Sequence, residues 1–173
     1  RSINTIAVKV AEHVGQGNVI KTARRLGITA KLTSSPSLAL GTSEINLLEM
    51  TGAYAVLANG GQGIWPFGVE EIKDAEGRVL YRRQGGGAGQ VVEPRHVRSM
   101  DNMLQEVIRT GTGKKARLRR PAQGKTGTSQ GFRDAWFIGY TKNFVTGVWV
   151  GNDNDAPMKK ITGGGLPAII WQK

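Results

Sequence analysis

A chain of 173 residues has room for one domain or one large piece of a domain. Its 39% hydrophobic share is slightly low for a globular protein, so the core is thin and a partner surface is expected to complete it. Lys and Arg outnumber Asp and Glu by 24 to 13, a net charge of +11 that favours anionic partners; the lack of Cys excludes disulfides and thiolate metal sites, and two distant histidines, His13 and His96, argue against a His-based metal centre.

Ser2 to Val14 is predicted to be a helix, because Ile3, Ile6, Val10 and Val14 recur at helical spacing. Ser2 or Asn4 is its expected cap and Gly15 its stop. A second helix is expected over Asn18 to Leu26, stopped by Gly27, followed by a loop over residues 29 to 42. A third runs from Ser43 or Glu44 to Ala58, capped by Thr42 or Ser43, with Leu47, Met50, Tyr54 and Leu57 as its apolar stripe and Asn59-Gly60-Gly61 as its end. Residues 67 to 83 alternate around DAEGR and predict a hairpin, and QGGGAGQ is a flexible connector. Pro94 opens a helix whose buried face is Val97, Met100, Leu104 and Val107, ended by Gly111 and Gly113. The last third reads as three short strands joined by tight turns, with Trp149 in the core. Helices first and an antiparallel sheet last predict an α+β fold with helices packed on the sheet.

Two motifs compete for GKTGTS, residues 124 to 129. A phosphate-binding P-loop needs a Gly five places before Gly124, where Arg119 stands, and it needs a helix after it, where the sequence predicts strands. That reading fails. The alternative is the Lys-Thr-Gly box of a penicillin-recognising site, Lys125, Thr126 and Gly127, on a strand bordering the active-site groove. Strand alternation then places Thr126 and Thr128 on one side and Lys125 and Gly127 on the other, and a substrate peptide is able to lie alongside as an added strand. The partner box Ser-x-Asn is present as Ser2-Ile3-Asn4, a pattern that on its own reads more readily as a helix cap. The third box, Ser-x-x-Lys, is absent from every Ser. Thr112-Gly113-Lys114-Lys115 mimics it in a Gly-broken basic loop and is taken as coincidence.

SINTIAVKVAEHVG, SLALGTSEINLLEMTGAYAVLANGG, GKTGTSQGFRDAWFIGYTKNFVTGVWVGND and TGGGLPAIIW, in that order, resemble the C-terminal part of the transpeptidase domain of class A penicillin-binding proteins, the bifunctional peptidoglycan synthases. The resemblance covers nearly the whole chain. It implies a partial penicillin-binding transpeptidase fold over residues 1–173, with the Ser-x-x-Lys nucleophile region, glycosyltransferase domain and membrane anchor outside it. It implies D-Ala-D-Ala transpeptidation and penicillin binding by the parent protein, no cofactor or metal, and a fragment that is inactive alone. Ser2 would relay a proton, Asn4 would hold a substrate amide and the missing catalytic Lys, and Lys125 would supply charge beside Ser2 and the substrate carboxylate. Thr126 and Thr128 would offer hydroxyls to that carboxylate, Gly127 would leave the strand open to close approach, and the Thr128 N–H would form half of the oxyanion hole. Expected partners are peptidoglycan stem peptides, β-lactams and the rest of the same domain, at the extracytoplasmic (periplasmic) face of the membrane. The basic run Lys114, Lys115, Arg117, Arg119 and Arg120 is a solvated loop or a contact for anionic lipid or cell-wall polymer. Nucleic acid is not implied, since no aromatic residues interleave with the basic ones. The alternative to an enzyme is a non-catalytic basic binding module.

Overall fold

In the computed structural model, which describes residues 2–173, helix α1 (Asn4–Val14) begins later than its periodicity predicts. Its N-cap is Ile3, without a side-chain hydrogen bond, so neither Ser2 nor Asn4 caps it. Ser2 lies outside the helix at φ 53°, in the left-handed region that costs a serine conformational energy. Gly15 ends α1 by donating its N–H to the Ala11 carbonyl at 2.9 Å. The apolar stripe is not buried as expected: Ile3, Ile6, Val10 and Val14 are 48–57% exposed. Helix α2 (Gln16–Arg25) follows, starting two residues before the predicted Asn18, and a loop with a 3-10 turn at Pro36–Leu40 leads on, against which α1 rests.

Helix α3 (Leu47–Ala58) is capped by Asn46, not by Thr42 or Ser43. The Asn46 carboxamide oxygen accepts the Glu49 N–H at 2.8 Å and so satisfies one of the orphan donors of the first turn. Ala53, Val56 and Leu57 are its buried residues. The predicted hairpin forms as β1 (Glu71–Lys73) and β2 (Val79–Arg82), turning where Asp74 Oδ1 accepts the Arg78 N–H at 2.8 Å. It stays largely uncovered, with Leu80 67% exposed. The glycine-rich connector is stitched at its end to the stop of α3, through Gly63 N–H to Gly89 O at 2.7 Å and Val91 N–H to Gly61 O at 2.9 Å.

Helix α4 (Pro94–Arg109) buries Val97, Leu104 and Ile108. Strands β3 (Gln123–Thr128), β4 (Asp134–Tyr140) and β5 (Val145–Gly151) form the expected antiparallel meander, in the order β3-β4-β5, and α5 (Leu166–Gln172) closes the chain. On one face of the sheet Phe137 is fully buried among Ile108, Ala116, Ala122 and Ala168, with the Trp171 ring centroid 5.2 Å away. On the other face Tyr140 packs with Leu57, Val97 and Leu104, and its hydroxyl donates to Asp101 at 2.6 Å. Burial of the ring, then that carboxylate, pushes the Tyr140 hydroxyl pKa well up. The helices thus sandwich a three-stranded sheet, the α+β arrangement that the sequence predicts. Trp149 is not core: it is 38% exposed, and its indole N–H donates to Asp134 Oδ1 at 2.9 Å.

Candidate active site

Strand β3 is the outer strand of its sheet, and the ladder fixes what its free edge presents. The Ser129 N–H bonds the Asp134 carbonyl at 3.0 Å, continuing the register that pairs Thr128 with Ala135. Hydrogen-bonded pairs alternate along an antiparallel ladder, so Gly127–Trp136 and Lys125–Ile138 are also hydrogen-bonded pairs. Gly124, Thr126 and Thr128 therefore turn both N–H and C=O away from β4; Gly124 is buried, and the open part of the edge is at Thr126 and Thr128.

Side chains alternate across the sheet, and this separates the members of the box. Lys125 points to the face that carries Trp136 and Ile138. There its ammonium donates to Ser2 Oγ at 2.7 Å and to the Thr126 carbonyl at 2.8 Å. Ser2 and Lys125 lie 123 residues apart in sequence, so tertiary folding, not local preference, creates this contact. Burial disfavours the charged ammonium and holds its pKa below the usual lysine value. Thr126 and Thr128 point to the opposite face. The Thr126 hydroxyl lies 2.6 Å from the Thr112 hydroxyl, and Thr128 Oγ1 accepts the Gly163 N–H at 3.0 Å. Gly163 fits there because an added Cβ would overlap the backbone of Gly127 and Trp136. Asn4 sits exposed in the first turn of α1, and its side chain makes no hydrogen bond among the described residues. The structure thus joins Ser2 to Lys125, gives the Asn4 side chain no hydrogen bond to either, and brings the threonines to the same edge from the other face.

The sequence matches the family described as the penicillin binding protein transpeptidase domain over residues 1–163. The chain belongs to this family. It is 35% identical to penicillin-binding protein 1A of Neisseria lactamica and 39% identical to that of Aquifex aeolicus, over 98% of the chain in each case. It spans only 22% and 23% of those relatives' own length. Among solved structures it is similar to penicillin-binding protein 1A from Haemophilus influenzae, with a TM-score of 0.88 at 25% identity, over 99% of this chain and 32% of that one. It is also similar to PonA1 from Mycobacterium tuberculosis in complex with penicillin V, with a TM-score of 0.75 at 26% identity, over 87% of this chain and 46% of that one.

For a penicillin-binding transpeptidase domain, the site in this chain is an open edge and not a closed pocket. Two shallow hollows of about 520 Å³ lie elsewhere, one beside Trp65, Phe67 and Arg83 and one beside Asp101, Arg120 and Tyr140, and neither is lined by a box residue. Among the described residues no three His, Asp or Glu side chains are grouped to hold a metal ion. The basic run is anchored by buried Ala116, while Lys114, Lys115, Arg117, Arg119 and Arg120 are exposed and take part in none of the ion pairs among the described residues. No helix there is long and apolar enough to cross a membrane. Two contributors to the site escape sequence reasoning. Gly163 lies in TGGGLPAIIW, a stretch that carries a family resemblance and no chemical motif. Thr112 lies in the Thr-Gly-Lys-Lys mimic, which is no nucleophile box yet places its hydroxyl against Thr126. The available signal was the pair of glycines around Thr112, which marks a turn under close packing.

Proposed function

We propose that the parent protein is a serine-type D,D-transpeptidase that cross-links peptidoglycan during cell-wall synthesis and is acylated by β-lactams. The 173 residues are the C-terminal part of its transpeptidase domain, carrying the Ser-x-Asn and Lys-Thr-Gly boxes. The observation that carries this reading is the 2.7 Å bond from the Lys125 ammonium to Ser2 Oγ, which links the two boxes.

The chemistry needs an activated nucleophile, a proton route and a site for the oxyanion. The nucleophilic Ser, on a segment outside these residues, attacks the penultimate D-Ala carbonyl of a stem peptide. Its proton passes through the Ser2 hydroxyl to the departing D-Ala nitrogen, and the C–N bond breaks. An amine from a neighbouring strand then attacks the ester, releasing the serine. Lys125 keeps positive charge beside Ser2, holding its oxygen in place for the relay and drawing the substrate carboxylate in. Asn4 steadies a substrate amide. The stem peptide lies along the open edge of β3, where Gly127 permits close approach and the Thr128 N–H faces the developing oxyanion. Thr126 and Thr128 hydroxyls bind the carboxylate; Thr128 accepts from Gly163 and keeps its own hydrogen to donate.

The half-walled site and the exposed stripe of α1 support a domain whose remainder supplies the other wall and covers that stripe. The parent works at the extracytoplasmic face of the membrane, anchored by a segment outside these 173 residues, and the exposed basic run faces anionic lipid or cell-wall polymer. A purely non-catalytic basic module would leave the Ser2–Lys125 contact without a role. Labelling with fluorescent penicillin, denaturation and electrophoresis test the reading. The parent should give one covalent equivalent and the 173-residue chain alone none. An unlabelled, folded parent would overturn the transpeptidase assignment, and a stoichiometric band on the chain alone would overturn the placement of the nucleophile.

A further inference from the structure

Thr112 stands where α4 hands over to the basic run, and it is held with unusual tightness for an exposed residue. The Gly111 N–H bonds the Glu106 carbonyl at 3.0 Å and the Gly113 N–H bonds the Val107 carbonyl at 2.9 Å, locking the turn to the last turn of α4. Gly113 is buried so closely that an added Cβ would lie 3.1 Å from the Phe137 ring and 3.2 Å from Val107. From the other side Gly164 covers Thr112: a Cβ there would overlap the Thr112 carbonyl oxygen and come within 3.7 Å of Thr126 Cγ2. The consequence of this clamping is the 2.6 Å contact between the Thr112 and Thr126 hydroxyls.

We propose that Thr112 is a positioning residue for substrate-carboxylate recognition, donating its hydroxyl hydrogen to Thr126 Oγ1 so that the Thr126 hydrogen is turned to the anion at the edge of β3. The inference rests on the transpeptidase reading above. The direction of the bond follows from the ligand. A carboxylate only accepts hydrogen bonds, so a Thr126 hydroxyl bound to it must donate. In the Thr112 contact Thr126 must then be the acceptor, and Thr112 the donor. Each hydroxyl has one hydrogen, so this order leaves no alternative once the anion is bound. Thr112 acts through Thr126 and does not itself touch the reacting atoms.

The test uses the intact parent protein and stopped-flow acylation by a penicillin and by the methyl ester of the same penicillin, which carries no anion. Thr112→Val should lower the second-order acylation constant for the acid about tenfold, the size expected for a hydrogen-bond network ending on a charge. The loss should fall on the binding constant that precedes acylation. Thr112→Ser should stay within about twofold of wild type, since its donor is retained. With the ester, Thr112→Val and wild type should react alike. Thr112→Ala carries the same expectation, so a poorly folding valine variant does not end the comparison; thermal melts check each protein. Equal rates for folded wild type and Thr112→Val on the acid, or equal losses on acid and ester, would overturn the inference alone. A wild-type parent that neither compound labels would overturn the transpeptidase reading and this inference with it.

Discussion

The two halves of the molecule use the same apolar vocabulary to different ends. In the half built from α3, α4, α5 and the β3-β4-β5 sheet, Phe137, Ile108, Ala116 and Ala168 are buried on one face and Tyr140, Leu57 and Leu104 on the other. In the half built from α1, α2 and the β1-β2 hairpin, a regular helical stripe and a strand as apolar as Val79-Leu80-Tyr81 remain in the open. Periodicity therefore tells which face of an element seeks burial and not whether this chain supplies the cover. The contrast also divides the site, because Lys125 comes from the packed half and Ser2 from the uncovered one.

The sharpest way to break the comparison is to remove a side chain from the packed half. Phe137→Ala leaves a cavity under the sheet, and urea unfolding of the 173-residue chain should show a loss of about 4 kcal/mol. A loss below about 1 kcal/mol would mean that the core yields as readily as the surface.

Next comes the residue that joins the halves. In the intact parent, Lys125→Ala should slow penicillin acylation about a hundredfold, the scale of losing one preorganised electrostatic group, and Lys125→Arg should retain more. Unchanged acylation in the folded alanine variant would remove Lys125 from the site. Burial lowers the Lys125 pKa from 10.5, so the native state gives up this proton earlier than the unfolded chain does. Between the lowered value and 10.5 the unfolded state binds more protons, and the lysine's contribution to stability becomes more favourable as pH rises through that window. Denaturation midpoints across that window should show this rise in wild type relative to Lys125→Met, and acylation that needs the charged lysine should decline over the same range.

The smallest effect belongs to the uncovered half. Val10→Lys should shift the midpoint of the isolated chain by no more than about 0.5 kcal/mol, as at other exposed positions. The same change should lower the melting temperature of the intact parent. An equal, large effect in both proteins would show that α1 is already packed within this chain.

Much of the fold is legible from short-range rules. Gly15 and Gly27 end their helices, Pro94 opens one, and the three final strands follow from β-branched runs between turns. The cap of α3 is not legible, because Thr42, Ser43 and Asn46 are all able to accept an N–H, and only the path of the incoming chain selects Asn46. The ring of Trp149 predicts a core position, yet its N–H requires a partner and finds one at Asp134 near the surface. In the site, Lys125 and the alternation of Thr126 and Thr128 were readable from the box alone. The bond to Ser2 was not, since nothing local brings together residues 123 positions apart. The Thr112–Thr126 contact is hidden for the same reason: it depends on two loops meeting over β3, and neither loop carries a catalytic pattern.

The open edge of β3 has one more consequence, for solubility. A strand edge that offers N–H and C=O groups to a stem peptide offers them equally to another copy of itself, and exposed edges of this kind seed sheet-to-sheet aggregation. The Lys125 ammonium occupies the Thr126 carbonyl at that edge and sets a charge beside it. A neighbouring strand would have to displace the ammonium and desolvate it further, whereas an anionic ligand pairs with the charge directly. On the proposed function, the group that draws in the substrate carboxylate also sets a charge against strand-to-strand pairing at the same edge.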